Sequence, residues 1–126
     1  MSIVTLANPT VDCVFKRIFG EIEEILADLI CSVKKWPAGH IKNLTYCNTD
    51  CPQQYEDDKS CRMDLIADLS TGEKVLVEVQ IGRQNDYAQR SLFYFSRSYV
   101  SGLESGGKYG QLKKVIGIHI LCFNLF

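Results

Sequence analysis

Two acidic residues and a glutamine lie on neighbouring segments in the middle of the chain, where they can act together. Asp64 belongs to the segment 62–69, and Glu78 and Gln80 belong to the segment 74–81. In both segments every second residue is apolar, which is typical of a β-strand with one buried face. Carboxylate oxygens on such strands are ligands that Mg²⁺ and Mn²⁺ accept.

The break between these segments, at 70–72, predicts a hairpin whose loop length decides which side chains meet. A two-residue loop would send Glu78 to the opposite face from Asp64 and would split the apolar set. A three-residue loop, with its glycine in the left-handed conformation, pairs Asp64 with Glu78 and Ile66 with Leu76. We predict the three-residue loop because it keeps both apolar runs on one face.

Facing carboxylates repel one another unless a positive charge lies between them. A divalent ion meets this need most simply, since hard oxygen ligands suit Mg²⁺ or Mn²⁺ and the peptide carbonyl near Val79 supplies a third ligand. The pattern therefore predicts that Asp64 and Glu78 hold the ion, with Gln80 at the end of the same face.

The order of Asp64 and then Glu78-Val79-Gln80 resembles the D…(D/E)xK active-site hairpin of restriction-endonuclease-like nucleases, with Gln80 where lysine is usual. Further segments resemble, in order, the recombination-promoting nuclease/transposase family of the PD-(D/E)xK nuclease superfamily: 8–20, 78–81, 90–99, 107–109 and 115–121. The resemblance implies a metal-dependent DNA endonuclease with Asp64, Glu78 and Gln80 as catalytic residues. It also implies that glutamine is this family's usual choice at position 80.

The remaining elements predict an α/β fold, the restriction-endonuclease-like αβββαβ core with a mixed four-stranded sheet flanked by helices. Apolar residues at helical spacing predict a first helix through Lys34, which Gly20 can divide. An edge strand at 41–46 and an irregular, mobile loop at 48–60 precede the hairpin. A second helix at 87–104 then leads to a buried strand at 114–123, parallel to one hairpin strand.

The second helix is predicted to bury a stripe made of Ala88, Leu92, Phe95, Tyr99 and Leu103. Its Arg90 and Arg97 share another face, and we predict that they contact DNA phosphates, together with Lys59 in the loop. The alternative is that arginines on helices are solvated or bridged to acids.

Two smaller assignments concern Asp12 and His119. Asp12 is either a capping charge paired with Lys16 or a third acidic ligand of the metal, as the resemblance implies, and both interpretations stay open. His119 lies inside an apolar strand, which favours a packed, hydrogen-bonded side chain over a metal ligand.

The length, composition and net charge of the chain limit the classes of protein to which it can belong. The chain has 126 residues, 46% of them hydrophobic, and a net charge of −1, so it is expected to be a single domain, 1–126, without a basic footprint for tight nonspecific DNA binding. It has neither a signal peptide nor an apolar run of about 20 residues, so a cytoplasmic protein that does not span the membrane is expected. Its apolar end at 123–126 suggests the N-terminal part of a longer protein.

Two rival functions remain open at this stage. The first is a catalytically weak or inactive nuclease fold that serves as a scaffold for nucleic-acid or protein binding, which the neutral charge and the absent lysine favour. The second is a zinc-stabilised module through Cys47, Cys51 and Cys61 with His40 nearby, although this spacing fits no standard zinc pattern. Whether the protein forms a homodimer is also left open.

Overall fold

The computed structural model describes residues 6, 8–9, 12–47, 50–51, 61–62, 65–103 and 105–125, with only the backbone described at 12–13, 50–51 and 61–62. Three helices and six strands follow one another within these residues: α1 (Asp12–Phe19), α2 (Glu23–Lys34), β1 (Leu44–Tyr46), β2 (Asp50–Cys51), β3 (Cys61–Arg62), β4 (Leu65–Leu69), β5 (Lys74–Gln80), α3 (Tyr87–Val100) and β6 (Val115–Leu121). A short 3₁₀ turn at Tyr109–Gln111 precedes β6. The predicted first helix is thus two helices, divided at Gly20 as expected.

A mixed sheet of four strands forms the centre, in the order β1-β4-β5-β6. β1, β4 and β5 are antiparallel neighbours, and β6 returns parallel to β5 after α3. β1 is therefore the predicted edge strand, and the predicted parallel pairing of the last strand with a hairpin strand is confirmed. The α/β architecture with a mixed four-stranded sheet is confirmed with it.

The β4–β5 hairpin has the predicted register. Ile66 pairs with Leu76 and Leu65 pairs with Val77, so residues 70–72 form a three-residue loop. Gly72 has a φ of 99°, which disfavours a side chain and explains why glycine ends this loop. The predicted partner of Glu78, Asp64, lies outside the described residues.

One face of the sheet packs against α1 and α2. Its side chains are the alternating apolar residues predicted from the sequence, and they join helix residues in one buried cluster that includes Leu65, Ala67, Leu69, Val75, Val77, Phe15, Leu26 and Ile30. Tyr46 ties β1 to α1 through a hydrogen bond of 2.6 Å from its hydroxyl to the carbonyl of Phe19. Ile81, which was expected to continue the buried run, is exposed because β5 has already ended.

The other face packs against α3, which is rotated from the predicted orientation. Leu92 is 66% exposed and Tyr99 is 39% exposed, whereas Tyr87 and Ser98 are buried. The predicted stripe is therefore wrong at Ala88, Leu92 and Tyr99, which are exposed. Phe95 is half-buried and packs near Ile66 and Leu76, and Leu103 is half-buried beyond the end of the helix. The physical reason is that polar contacts from the first turn of α3 to β5 and β6 set the orientation of the helix.

Two boundaries also differ from expectation. α3 ends at Val100, four residues before its predicted end, and turns follow. The segment 48–60, which was expected to be an irregular loop, contains the short strand β2, and β2 pairs antiparallel with β3 just after this segment, with Cys51 opposite Cys61. Within the described residues, no helix has both the length and the apolar character that crossing a bilayer requires.

Candidate active site on the helix-covered face of the sheet

Polar side chains gather where β5 and β6 run side by side under the first turn of α3. Glu78 pairs with His119 in the parallel register, and Gln80 lies two residues further along β5. Because side chains alternate between faces, Glu78, Gln80 and His119 all point towards α3. The same alternation that places Val77 and Val79 on the opposite face thus aims these polar groups at one helix.

Glu78 is the buried acid of this group. It is 6% exposed, and its Oε1 lies 3.4 Å from Nη2 of Arg90 on α3. A carboxylate this deeply buried needs compensating charge, because desolvation penalises its ionised form. Arg90 provides a positive charge from within the protein.

Gln80 extends the same network towards the end of β5. Its Oε1 accepts from Nη2 of Arg90 at 3.4 Å, and its Nε2 donates to the carbonyl of Gly82 at 2.8 Å. Both ends of the amide are therefore used, which fixes its orientation next to Glu78.

Tyr87 connects the network to β6. Its hydroxyl shares a hydrogen bond of 2.8 Å with Nδ1 of His119, and its ring lies 5.5 Å from the guanidinium carbon of Arg90. Burial lowers the pKa of His119, so the ring is neutral near pH 7. Gly117 makes room for the ring, since a Cβ there would lie 3.2 Å from His119 Nε2.

The Tyr87–His119 hydrogen bond is expected to contribute to folding. Tyr87→Phe removes the hydroxyl but keeps the buried ring, so the hydrogen bond to Nδ1 of His119 is lost. We expect a loss of about 1 kcal/mol in the free energy of unfolding, measured by urea denaturation. An unchanged midpoint in the variant would show that the hydrogen bond has no net effect.

His119 is also expected to make stability depend on pH. Its folded-state pKa lies below the unfolded value of 6.5 because of burial, so the unfolded chain binds the proton first and acid favours unfolding. Glu78 Oε2, 4.0 Å from Nδ1, opposes this shift, but the nearby Arg90 weakens its effect. Stability should be full above the unfolded pKa and fall as the pH drops below it, and His119→Gln should reduce that fall. If the urea midpoints of the wild type and of His119→Gln fall equally as the pH drops below the unfolded pKa, His119 is not the source of the pH dependence.

Beside the network, a groove of about 540 Å³ opens along α3. Its lining consists of Asp86, Gln89, Arg90, Phe93 and Tyr94. Arg97 lies above the Phe93 ring at 5.7 Å, so positive charge and aromatic surface adjoin one another. Such a surface can contact a nucleic-acid strand through phosphates and bases.

The remaining predicted site residues are only partly described. Asp64 and Lys59 lie outside the described residues, and Asp12 begins α1 without a described side chain. Within the described side chains, which do not include Asp64, no three His, Cys, Asp or Glu residues form a group that could hold a metal ion. Contact of Arg90 and Arg97 with DNA phosphates stays a prediction, and Arg90 is bridged to the acid Glu78, as the alternative had it.

A second polar cluster lies at the turn end of the same face. Lys74 Nζ lies 3.0 Å from Asp68 Oδ1 and 3.6 Å from Cys47 Sγ. Burial is the largest influence on the pKa of Cys47 and raises it, so the thiol stays protonated. The side chains of Cys51 and Cys61, which the zinc alternative requires, are not described.

Sequence reasoning missed the contribution of Tyr87 to this site and the pairing of Arg90 with Glu78. The available signal was the three-residue spacing of Tyr87 and Arg90 at the start of α3, which places both on one side of the first turn. Their partners are on strands far along the chain, so the spacing alone does not identify them.

A mixed sheet with helices on both faces, carrying an acid-x-glutamine sequence on its central hairpin strand, has the restriction-endonuclease-like fold of the PD-(D/E)XK nucleases. A family model described as PD-(D/E)XK nuclease family transposase matches residues 9–126. The chain belongs to this family, which implies DNA as its partner. Searches of curated proteins and of solved structures gave no match.

Proposed function

We propose that this domain is a DNA endonuclease that hydrolyses phosphodiester bonds with the help of Mg²⁺ or Mn²⁺. The observation that carries the proposal is the hairpin register, in which Leu65 pairs with Val77. Continued by one residue, this register would bring Asp64 opposite Glu78, on the face that carries Gln80. Those are the three residues that the family's active-site motif requires.

Glu78, whose side chain the structure describes, is a suitable ligand for a hard divalent cation. Glu78 is a carboxylate with little water access, and the protein already holds a positive group against it. Oxygen ligands of this kind, with Asp64 and the Val79 carbonyl completing the set, suit Mg²⁺ or Mn²⁺. We propose Asp12 as a further ligand.

The protein side of the mechanism follows from these residues. When bound, the ion supplies Lewis acidity, which polarises the phosphate and lowers the pKa of the attacking water. Gln80 orients that water through its amide, which the hydrogen bond from its Nε2 to the carbonyl of Gly82 holds in place. Arg90, Arg97 and Lys59 bind phosphates along the DNA strand. Since an amide carries no charge, Gln80 contributes orientation and no charge stabilisation.

The direct test is cleavage of supercoiled plasmid by the purified protein in Mg²⁺ or Mn²⁺. We expect nicked and linear products with either ion and intact plasmid in EDTA. Intact plasmid in all three conditions, from protein that is folded and binds the same DNA, would contradict an endonuclease.

The scaffold alternative has one observation in its favour. Arg90 compensates Glu78 from within the chain, so the buried carboxylate is stabilised without a metal. A scaffold predicts DNA or protein binding that does not depend on divalent ions, and calorimetry without heat of Mn²⁺ binding. Mn²⁺ binding that is lost in Asp64→Ala would exclude this alternative.

A further inference from the structure

Arg90 lies where a positive charge beside the metal-binding acid is needed. Its Nη2 approaches Glu78 Oε1 and Gln80 Oε1 at the same distance of 3.4 Å. The sequence indicates a cation near Glu78, and Arg90 supplies one from within the protein.

The geometry of this contact is that of a weak and replaceable ion pair. Charge-assisted hydrogen bonds between arginine and carboxylate are typically about 2.7–2.9 Å and are frequently bidentate, whereas Arg90 makes one contact to Glu78 at 3.4 Å. Its buried Nε has no hydrogen-bond partner in the part of the chain that the structure describes. The guanidinium is thus near Glu78 without the fork geometry of a permanent structural pair.

The surroundings also give the guanidinium a place to move. The Arg90 side chain is 29% exposed and lines the groove along α3 together with Gln89 and Phe93. Rotation of its long side chain can take it from Glu78 to the groove while its Cα stays in the helix. A DNA strand in that groove would bring phosphates within reach.

A guanidinium and a divalent ion cannot share one carboxylate without cost. Two positive groups a few ångströms apart in a partly buried site repel one another strongly, because the surroundings screen charge less than water does. Metal binding at Glu78 must therefore work against Arg90 or displace it.

We propose that Arg90 is a positioning residue that occupies the cation place beside Glu78 in the metal-free protein and withdraws into the groove when a divalent ion binds. Glu78 then passes from the guanidinium to the metal, and the guanidinium becomes available to a DNA phosphate. This proposal rests on the proposed function, since it concerns how the same site accepts its ion.

The test is the Mn²⁺ affinity of Arg90 variants, measured by calorimetry without DNA at mildly alkaline pH, where carboxylates are ionised. Arg90→Gln removes the competing charge and should lower the Kd for Mn²⁺ at least about tenfold. Arg90→Lys keeps the charge and should stay within about threefold of the wild type. Arg83→Gln, an equal charge change at an exposed position between β5 and α3, serves as the control and should leave the Kd unchanged.

A second measurement tests the metal-free contact itself. In EDTA, Arg90→Gln and Glu78→Gln should each lower the urea midpoint, and the double variant should lower it by less than the sum of the two. Additive effects would show that the two groups do not interact and would overturn the proposal.

The outcomes separate this inference from the proposed function. If the wild type binds Mn²⁺ and Arg90→Gln binds it equally or more weakly, Arg90 does not compete with the ion and only this inference fails. If neither protein binds Mn²⁺ although both are folded, the proposed metal site fails and this inference fails with it.

Discussion

Glu78→Gln is expected to abolish metal-dependent DNA cleavage. The substitution keeps the shape of the side chain but removes the charge that holds the ion, and a bound ion contributes several kcal/mol of transition-state stabilisation. A loss of about 4 kcal/mol corresponds to a rate lower by roughly 10³-fold. The measurement is the initial rate of plasmid nicking in Mg²⁺ at saturating protein.

Asp68→Asn is the matched control for this change. Asp68 lies on the same face of the hairpin but at its turn end, where it pairs with Lys74. Its variant should cleave within about threefold of the wild-type rate, because it lies away from the reacting phosphate. Glu78→Gln that cleaves as fast as Asp68→Asn would exclude Glu78 from the chemistry.

Gln80→Ala is expected to have the second largest effect, with cleavage lower by about 10-fold to 100-fold and the Mn²⁺ Kd nearly unchanged. The amide is held next to Glu78 by its hydrogen bond to the carbonyl of Gly82, so it can align the attacking water, and misalignment of a reacting group by about 1 Å costs up to about 100-fold. Gln80→Lys should preserve or raise the rate, since its ammonium adds positive charge where negative charge develops. Single-turnover rates and calorimetry together separate an effect on chemistry from one on metal binding.

Gln84→Ala provides the control for the Gln80 variants. Gln84 is exposed in the connection between β5 and α3, and its side-chain truncation should leave both rate and metal affinity unchanged. If both Gln80 variants cleave like the wild type while Glu78→Gln is inactive, Gln80 has no part in the reaction.

The hairpin could be predicted from the sequence because its constraints are local. Alternating apolar residues identify the strands, and the position of Gly72 in the break selects the loop length, since only one register keeps the apolar residues on one face. Together these gave the pairing of Ile66 with Leu76 without any knowledge of the rest of the fold.

The orientation of α3 could not be predicted from the sequence, because it depends on contacts with residues that are far away along the chain. Its most hydrophobic positions, including Leu92 and Tyr99, suggested a buried stripe, but hydropathy does not include the contacts that Tyr87 and Arg90 make with distant strands. A buried carboxylate that needs a cation can outweigh the burial of one leucine.

The identity of the cation beside Glu78 is another feature that could not be predicted from the sequence. The sequence indicates that facing carboxylates need a positive charge, and a divalent ion is the simplest source that it suggests. The structure places Arg90 there, because α3 packs on the face to which Glu78 points. Positive charge beside Glu78 is therefore supplied from within the chain.

The most direct test of the account is an X-ray structure of crystals soaked in Mn²⁺, with data collected for the anomalous signal of manganese. The account predicts one strong anomalous peak within about 2.5 Å of a carboxylate oxygen of both Glu78 and Asp64, with the guanidinium of Arg90 displaced from Glu78 towards the groove. A full-occupancy manganese ion elsewhere on the protein, with no anomalous peak beside Glu78 and with Arg90 still in contact with Glu78, would contradict the proposed metal site.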